Sequence, residues 1–150
     1  MKLKVPPVII FFLALTLMFG VYYLLPNFTF RIPYSITSSR VFLLLGVLSG
    51  VAGIATFRKK GTTVDPMNPQ NASKLVTSGI YRYTRNPMYL GMLFVLIGGL
   101  IRLGNPTGLI GIAFFIFWIN EFQIKPEERV LTEVFEDEYR EYCAKVRRWI

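Results

Sequence analysis

Apolar residues along this chain form four long runs separated by polar stretches. The runs cover residues 5–25, 41–57, 87–101 and 107–120, and none of them contains a charged side chain. A helix of about 20 residues crosses a hydrocarbon core of ~30 Å. The pattern therefore predicts an all-α integral membrane bundle of about four transmembrane helices.

The first run also has an alternative interpretation as a secretory signal peptide, because Lys2 and Lys4 precede it. The run exceeds the ~7–15 apolar residues of a signal peptide. The sequence Pro26-Asn27-Phe28 that follows lacks the small residues of a cleavage site. We therefore expect this run to remain in the protein as a membrane span.

Three glycines in the second run, Gly46, Gly50 and Gly53, follow one another at spacings of four and three. Small residues on one stripe of a membrane helix let a neighbouring helix approach closely. Glycine is also common in membrane helices without such a role. The spacing therefore leaves two interpretations open, a packing face and an ordinary lipid-exposed helix.

The third and fourth runs predict a helical hairpin. Asn86 is a favourable N-cap and Pro87 suits the first helical position, so we expect the third helix to begin there. Gly104-Asn105-Pro106 predicts a tight turn, and the fourth helix should end near Lys125-Pro126. The polar stretch of residues 58–85 contains helix-breaking Gly and Pro and predicts a functional loop.

The C-terminal residues 127–146 predict one amphipathic helix on the cytoplasmic side. Its apolar positions recur at spacings of three and four, with Glu and Arg between them. These positions are Val130, Leu131, Val134, Phe135, Tyr139, Tyr142 and Val146. Such a helix can lie on the membrane surface or fold over the polar loop.

Composition and charge support the membrane interpretation. Hydrophobic residues make up 53% of the chain and charged residues 17%, below the ~25% of a soluble domain. With four spans, Arg31, Arg40 and Arg102 lie on one side of the membrane and every other Lys and Arg lies on the opposite side. This asymmetry predicts cytoplasmic termini. The net charge is +8, and the Lys and Arg residues that produce it flank the apolar runs. We therefore expect lipid headgroups, and not nucleic acid, to be their partner.

The side chains that the chain lacks restrict its possible chemistry. It has one cysteine, Cys143, and no histidine, so it cannot form an internal disulfide and has no imidazole base. We expect no metal site, because zinc sites normally use several Cys or His ligands. Any reaction has to proceed without imidazole and without a pair of thiols.

Candidate chemistry collects where the third and fourth runs meet the cytoplasmic side. The start of the third helix offers free backbone N–H groups to an anionic group, and Arg85 adds positive charge. Tyr81 and Tyr89 offer flat rings, and Glu127 and Glu128 could hold an ammonium group or ribose hydroxyls. S-adenosylmethionine carries all of these complementary groups. Positive-inside arginines, an interfacial tyrosine belt and first-turn acids are the alternative interpretation.

Two blocks of this sequence resemble the isoprenylcysteine carboxyl methyltransferases, which are related to the phospholipid methyltransferases. The first is the run of residues 75–81 leading into Arg85-Asn86-Pro87-Met88-Tyr89-Leu90-Gly91, and the second begins at Glu127-Glu128-Arg129-Val130-Leu131. The resemblance covers roughly residues 61–150. It implies one methyltransferase domain, with two N-terminal spans in residues 1–57 and a cofactor-binding catalytic part in residues 58–150.

The resemblance also implies the cofactor, the acceptor and the site residues. The cofactor is S-adenosylmethionine, and the acceptor is a lipophilic molecule in the membrane, either an isoprenylcysteine-type carboxylate or a phospholipid amine. We expect Arg85, Asn86 and Tyr89 to serve catalysis. The expected cofactor contacts are Ser73, Lys74, Leu75, Val76, Tyr81, Asn86, Pro87, Met88, Tyr89, Glu127 and Glu128.

The chain departs from the family pattern at four places. An arginine that lies just before the Glu pair and meets the substrate carboxylate in prenylcysteine enzymes has no clear counterpart here, and Gln123 is the nearest residue. Asn86 stands where prenylcysteine enzymes typically have His, and Glu136 stands where the family often has Gly. Val146-Arg147-Arg148 replaces a frequent Val-Pro-Arg ending. A glutathione-transferase-like membrane enzyme and a non-catalytic membrane scaffold are the competing interpretations, although neither explains the two sequence blocks.

Overall fold

The computed structural model describes residues 5–61 and 74–150, and its long elements are helices. Three helices are long and apolar enough to cross a membrane: Pro7–Leu24, Ser35–Lys60 and Pro106–Lys145. The fourth apolar helix, Pro87–Leu103, has 17 residues and lies at the short end of the ~17–25 that span a bilayer. The all-α membrane bundle is confirmed. We name the helices α1 Pro7–Leu24, α2 Ser35–Lys60, α3 Pro87–Leu103, α4 Leu109–Ile119 and α5 Lys125–Lys145.

Helices α2 and α3 pack against each other through glycine. A Cβ atom on Gly46 would lie 2.7 Å from the Gly91 carbonyl oxygen, and one on Gly91 would lie 2.6 Å from the Gly46 carbonyl oxygen. A Cβ atom on Gly53 would lie 3.3 Å from the Pro87 ring, whereas one on Gly50 would meet open space. The packing-face interpretation is therefore correct. A side chain would be in the way at Gly46 and Gly53, whereas Gly50 joins the face through its backbone, since a Cβ atom on Gly91 would lie 3.2 Å from the Gly50 nitrogen.

A second close pair, α1 and α4, forms the core of the bundle. Ile10, Ala14 and Met18 on α1 are buried together with Phe115 on α4. A Cβ atom on Gly111 would lie 2.7 Å from the Ala14 carbonyl oxygen, so only glycine lets the two backbones come this close.

The turn between α3 and α4 forms where it was predicted. Gly104 has a φ of 64°, which glycine adopts without strain. The buried Asn105 side chain accepts a hydrogen bond from the Thr107 N–H at 3.1 Å and donates one to the Leu25 carbonyl at 2.9 Å. The turn is thereby attached to the end of α1.

The predicted end of the fourth helix near Lys125-Pro126 is wrong, because one helix runs from Pro106 to Lys145. Proline normally breaks a helix, since its ring clashes with the carbonyl four residues earlier. Here residues Asn120–Ile124 form a π-helical segment, in which the Lys125 N–H bonds to the Asn120 carbonyl. This wider turn accommodates Pro126, so the helix continues. A helix of 40 residues is twice what a bilayer needs, and its uncharged run ends at Asn120.

The prediction of a single amphipathic helix over residues 127–146 also needs correction. Glu136 has φ 44° and ψ −118°, and α5 is kinked there. Tyr139 and Tyr142, beyond the kink, are buried against the rest of the protein, whereas Val134 is exposed. The kink therefore turns the second half of α5 back onto the segment that precedes α3.

Candidate active site

Tyr89 and Glu127 meet at the end of the bundle where α3 begins. Tyr89 lies in the first turn of α3, and Glu127 lies in the first turn of α5. The Tyr89 hydroxyl donates a hydrogen bond to Glu127 Oε1 at 2.5 Å. The two sequence blocks, which are 38 residues apart at this pair, thus come into direct contact.

Glu127 lies just beyond the apolar part of its helix, and its environment disfavours the charged carboxylate. The pKa of Glu127 is raised to about 8, chiefly by burial. The hydrogen bond from Tyr89 opposes this rise, and the neighbouring charge of Glu128 adds a smaller one. In the described part of the chain Glu127 has no cationic partner. It can therefore accept a proton or a positively charged group near neutral pH.

Glu128 is committed to an ion network inside the protein. The Arg148 guanidinium donates from Nε to Glu128 Oε1 at 3.0 Å and from Nη2 to Glu128 Oε2 at 2.6 Å. Arg85 Nη2 lies 3.2 Å from the same Oε1 atom. A two-point arginine–carboxylate contact fixes both side chains. The adjacent acids of the predicted pair thus face different partners, since Glu127 pairs with a tyrosine and Glu128 with two arginines.

The last residues of the chain, 146–150, form a segment that we name the C-terminal strap. It crosses the residues that lead into α3. The Arg85 N–H donates to the Arg147 carbonyl at 3.1 Å, and the Thr84 hydroxyl donates to the Arg148 carbonyl at 3.4 Å. The Trp149 indole N–H donates to Asn120 Oδ1 at 3.2 Å. Sequence reasoning missed the strap because no local pattern indicates its contacts.

Asn86 occupies the N-cap position of α3, but its side chain does not cap the helix. Instead Asn86 Nδ2 donates to the Arg148 carbonyl at 2.8 Å. The predicted side-chain cap is therefore wrong, because the strap offers a better acceptor than the helix itself. The first N–H groups of α3 receive no side-chain cap.

Tyr81 lies beside the Tyr89–Glu127 pair on a short 3₁₀ turn, Gly79–Arg82. Its ring packs edge-on against Phe57 of α2 at a centroid distance of 5.2 Å, and its carbonyl accepts a hydrogen bond from the Tyr142 hydroxyl at 2.7 Å. Burial raises the pKa of Tyr81, with smaller contributions from Tyr142 and Glu127, so its hydroxyl remains neutral. Tyr81 and Glu127 are therefore near neighbours.

The remaining predicted residues differ in how closely they join this cluster. Pro87 is buried and Met88 is half-buried, and both lie against Gly53. In the segment before the 3₁₀ turn, Val76 is buried, Leu75 is half-buried and Lys74 is exposed. Hydrogen bonds among the described residues do not connect this segment to Tyr89 or Glu127. Ser73 lies outside the described residues.

The Arg85 guanidinium contacts other groups of the protein and does not face an open site. Its Nη1 donates to the Cys143 sulfur, and its Nη2 pairs with Glu128. Its side chain is 13% exposed. The expected catalytic arginine is thus held inside the protein between α5 and the start of α3.

Gln123 is a further polar residue of the site. The sequence marked it only as the residue nearest to an arginine of the family pattern that this chain lacks. It lies in the π-helical segment, is 2% exposed and lies beside the Tyr89 hydroxyl without the geometry of a hydrogen bond.

Fold and site together define a helical membrane protein with a buried tyrosine–carboxyl pair. The pair lies where α3 begins and where the π-helical segment passes into α5. Residues 34–138 match the sequence model of a family described as phospholipid methyltransferase. The match covers more than half of the chain, so the chain belongs to this family.

Individual relatives agree with this assignment. A probable protein-S-isoprenylcysteine O-methyltransferase of Oryza sativa subsp. indica is 29% identical over 106 residues, which make up 71% of this chain and 56% of that protein. The protein-S-isoprenylcysteine O-methyltransferase of Saccharomyces cerevisiae is 39% identical over 72 residues, 48% of this chain and 30% of that protein. An uncharacterized protein of Haemophilus influenzae is 48% identical over 63 residues, 42% of this chain and 100% of that protein. The chain thus spans about half or less of the methyltransferases that it matches.

Proposed function

We propose that this protein transfers a methyl group from S-adenosylmethionine to a lipophilic acceptor held in the membrane. The observation that carries the proposal is the contact of Tyr89 with Glu127 at 2.5 Å, which unites the two sequence blocks at one end of the bundle. Membership of a methyltransferase family supports the reaction type.

The groups around this contact fit the proposed cofactor. Glu127 has no cationic partner among residues 5–61 and 74–150, so its carboxylate suits the ammonium group of the methionine part. The uncapped N–H groups at the start of α3 suit its carboxylate. Tyr81 and Tyr89 add flat rings at the same place, and Ser73–Val76 with Pro87 and Met88 complete the proposed contacts.

Glu128, Arg85 and Asn86 act indirectly in this proposal. Glu128 is occupied by Arg85 and Arg148, and Asn86 is occupied by the strap. We therefore assign cofactor binding to Glu127 alone of the acidic pair. The other three hold α5 and the strap against the start of α3, and so position Tyr89 and Glu127.

The main task of the protein is to align the acceptor with the methyl group of the cofactor. S-adenosylmethionine, when bound, supplies a methyl group that is already activated by its sulfonium. Holding two reacting groups in line contributes up to ~7–11 kcal/mol to lowering a barrier. A carboxylate acceptor can attack directly, whereas an amine acceptor must first lose a proton. Tyr89 and Glu127, fixed against each other, form one wall of the proposed site.

We propose that this site and both termini face the cytoplasm. The proposal rests on the excess of Lys and Arg around the helix ends on that side. The names of the family and of its relatives favour two acceptor classes, a phospholipid and a prenylated cysteine carboxylate.

The direct test incubates the purified protein with labelled S-adenosylmethionine and two acceptors. One is a free-acid S-prenylcysteine, and the other is a vesicle containing a phospholipid with a primary-amine headgroup. We expect labelled product from one of them, and a loss of at least tenfold in two variants. Tyr89→Phe removes the buried hydrogen bond to Glu127, and Glu127→Gln removes the negative charge proposed to hold the ammonium group of the cofactor.

Tyr83→Phe is the matched control, because Tyr83 is exposed. It should retain wild-type activity. S-adenosylhomocysteine should raise the thermal stability of the wild type, and glutathione should not. The proposal is wrong if neither acceptor is labelled, or if S-adenosylhomocysteine leaves the thermal stability unchanged.

A further inference from the structure

Gln123 carries a buried amide group whose donor is not used. Its side chain is 2% exposed, and its Nε2 has no hydrogen-bond partner among the residues that the structure describes. Asn120, three residues earlier in the same π-helical segment, is in contrast partnered by the Trp149 indole. Buried polar groups in native proteins are nearly always hydrogen-bonded, so an unused one requires an explanation.

Two further features favour a ligand as the missing partner. Gln123 lies just after the uncharged run of residues 107–120, and burying an unpartnered amide there is costly. It also lies in a π-helical segment, a structure that occurs frequently at functional sites. The amide lies beside the Tyr89 hydroxyl and one helical turn before Glu127. A molecule in contact with Tyr89 can therefore also reach Gln123.

We infer that Gln123 Nε2 donates a hydrogen bond to an uncharged oxygen of the methyl acceptor and so helps to determine which acceptor is used. The inference rests on the proposed methyl transfer. Gln123 lies one turn farther toward the membrane interior than Glu127, which is the side from which a lipid-borne acceptor approaches. The amide therefore meets the acceptor, while Glu127 meets the cofactor.

The charges nearby indicate an uncharged oxygen in preference to a carboxylate. Arg85 and Arg148 are both engaged by Glu128, and Lys125 is paired with Glu121. A free carboxylate beside Gln123 would therefore lack a cationic partner in the described part of the chain, which is costly in a buried site. An ester, carbonyl or hydroxyl oxygen of a lipid headgroup would not carry this cost.

The first measurement is the thermal stability of two variants without ligand. Gln123→Leu removes an amide that the protein does not use, so its unfolding midpoint should equal or exceed that of the wild type. Asn120→Leu, the matched variant, removes a partnered amide and should unfold at a lower temperature. A lower midpoint for Gln123→Leu would overturn the inference, because it would mean that the amide serves the fold.

The second measurement is kinetic and uses the same two acceptors as above. We expect the wild type to methylate the amine-headgroup phospholipid in preference to the free-acid S-prenylcysteine. Gln123→Leu should raise the KM for that phospholipid about tenfold, the effect of one lost hydrogen bond, while binding of S-adenosylhomocysteine stays unchanged. An unchanged KM, weakened S-adenosylhomocysteine binding or a preference for the free acid would overturn the inference. If neither acceptor is labelled, the proposed methyl transfer itself fails, and this inference fails with it.

Discussion

Glu136 adopts a backbone conformation that costs stability in any residue with a side chain. Its φ of 44° with ψ −118° lies in a region that glycine enters freely and other residues rarely do. Such a conformation costs on the order of 1–3 kcal/mol. Glu136→Gly removes this strain but gives the unfolded chain additional freedom, which costs about 0.5–1 kcal/mol. Because the Glu136 side chain is exposed, little else changes. We expect a net gain of about 1 kcal/mol.

Unfolding of the purified protein in detergent measures this gain. Glu136→Ala is the first control, since it removes the carboxylate but keeps Cβ, and it should gain little. Glu138→Gly is the second control, an exposed position in regular helix, where glycine should cost about 1 kcal/mol. If Glu136→Gly is no more stable than the wild type, or if Glu136→Ala gains as much, backbone strain is not the cause.

Three further changes test the electrostatics and packing of the site. Because burial raises the pKa of Glu127 to about 8, folding favours the protonated form of this side chain. The thermal stability of the unliganded protein should therefore decrease as pH rises from about 5 to 8. Glu127→Gln should lose this pH dependence. Glu128→Gln leaves two arginines without their carboxylate and should lower stability by about 2 kcal/mol, measured by the same unfolding assay. Gly46→Ala should lower it by about 1–3 kcal/mol, because its Cβ would meet the Gly91 carbonyl, whereas Gly50→Ala, which meets open space, should not. Stability that is independent of pH, or equal losses at both glycines, would contradict the respective reasoning.

The four spans could be predicted because each depends on local composition alone. An uncharged run of sufficient length has to be helical in a membrane, whatever surrounds it. The glycine face was only partly predictable, since Gly46, Gly50 and Gly53 look alike in the sequence. Which of them leaves no room for a side chain depends on how α3 crosses α2.

The continuous helix from Pro106 to Lys145 could not be predicted from the local signals. Lys125 and Pro126 indicate a helix end, but the π-helical turn just before them accommodates Pro126, so the helix continues. The resemblance described above leads us to expect Gly where Glu136 stands, and the positive φ of Glu136 is a conformation that suits Gly. The sequence alone did not indicate this backbone requirement.

The candidate site was predicted in part. The approach of Tyr89 to Glu127 follows from two ordered sequence blocks, whereas the division of work between Glu127 and Glu128 does not. That division depends on Arg148, which reaches Glu128 only because the strap folds back over the start of α3. Contacts between segments 62 residues apart leave no periodic trace in the sequence.

The touching backbones of Gly46 and Gly91 limit how a membrane lipid can approach the reacting centre. At this depth the gap between α2 and α3 is narrower than one methyl group, because a single Cβ atom would already collide there. A hydrocarbon tail cannot slide through that seam. The lipid acceptor of the proposed methyl transfer would therefore have to reach the site elsewhere on the bundle, because α2 and α3 are closed against each other here.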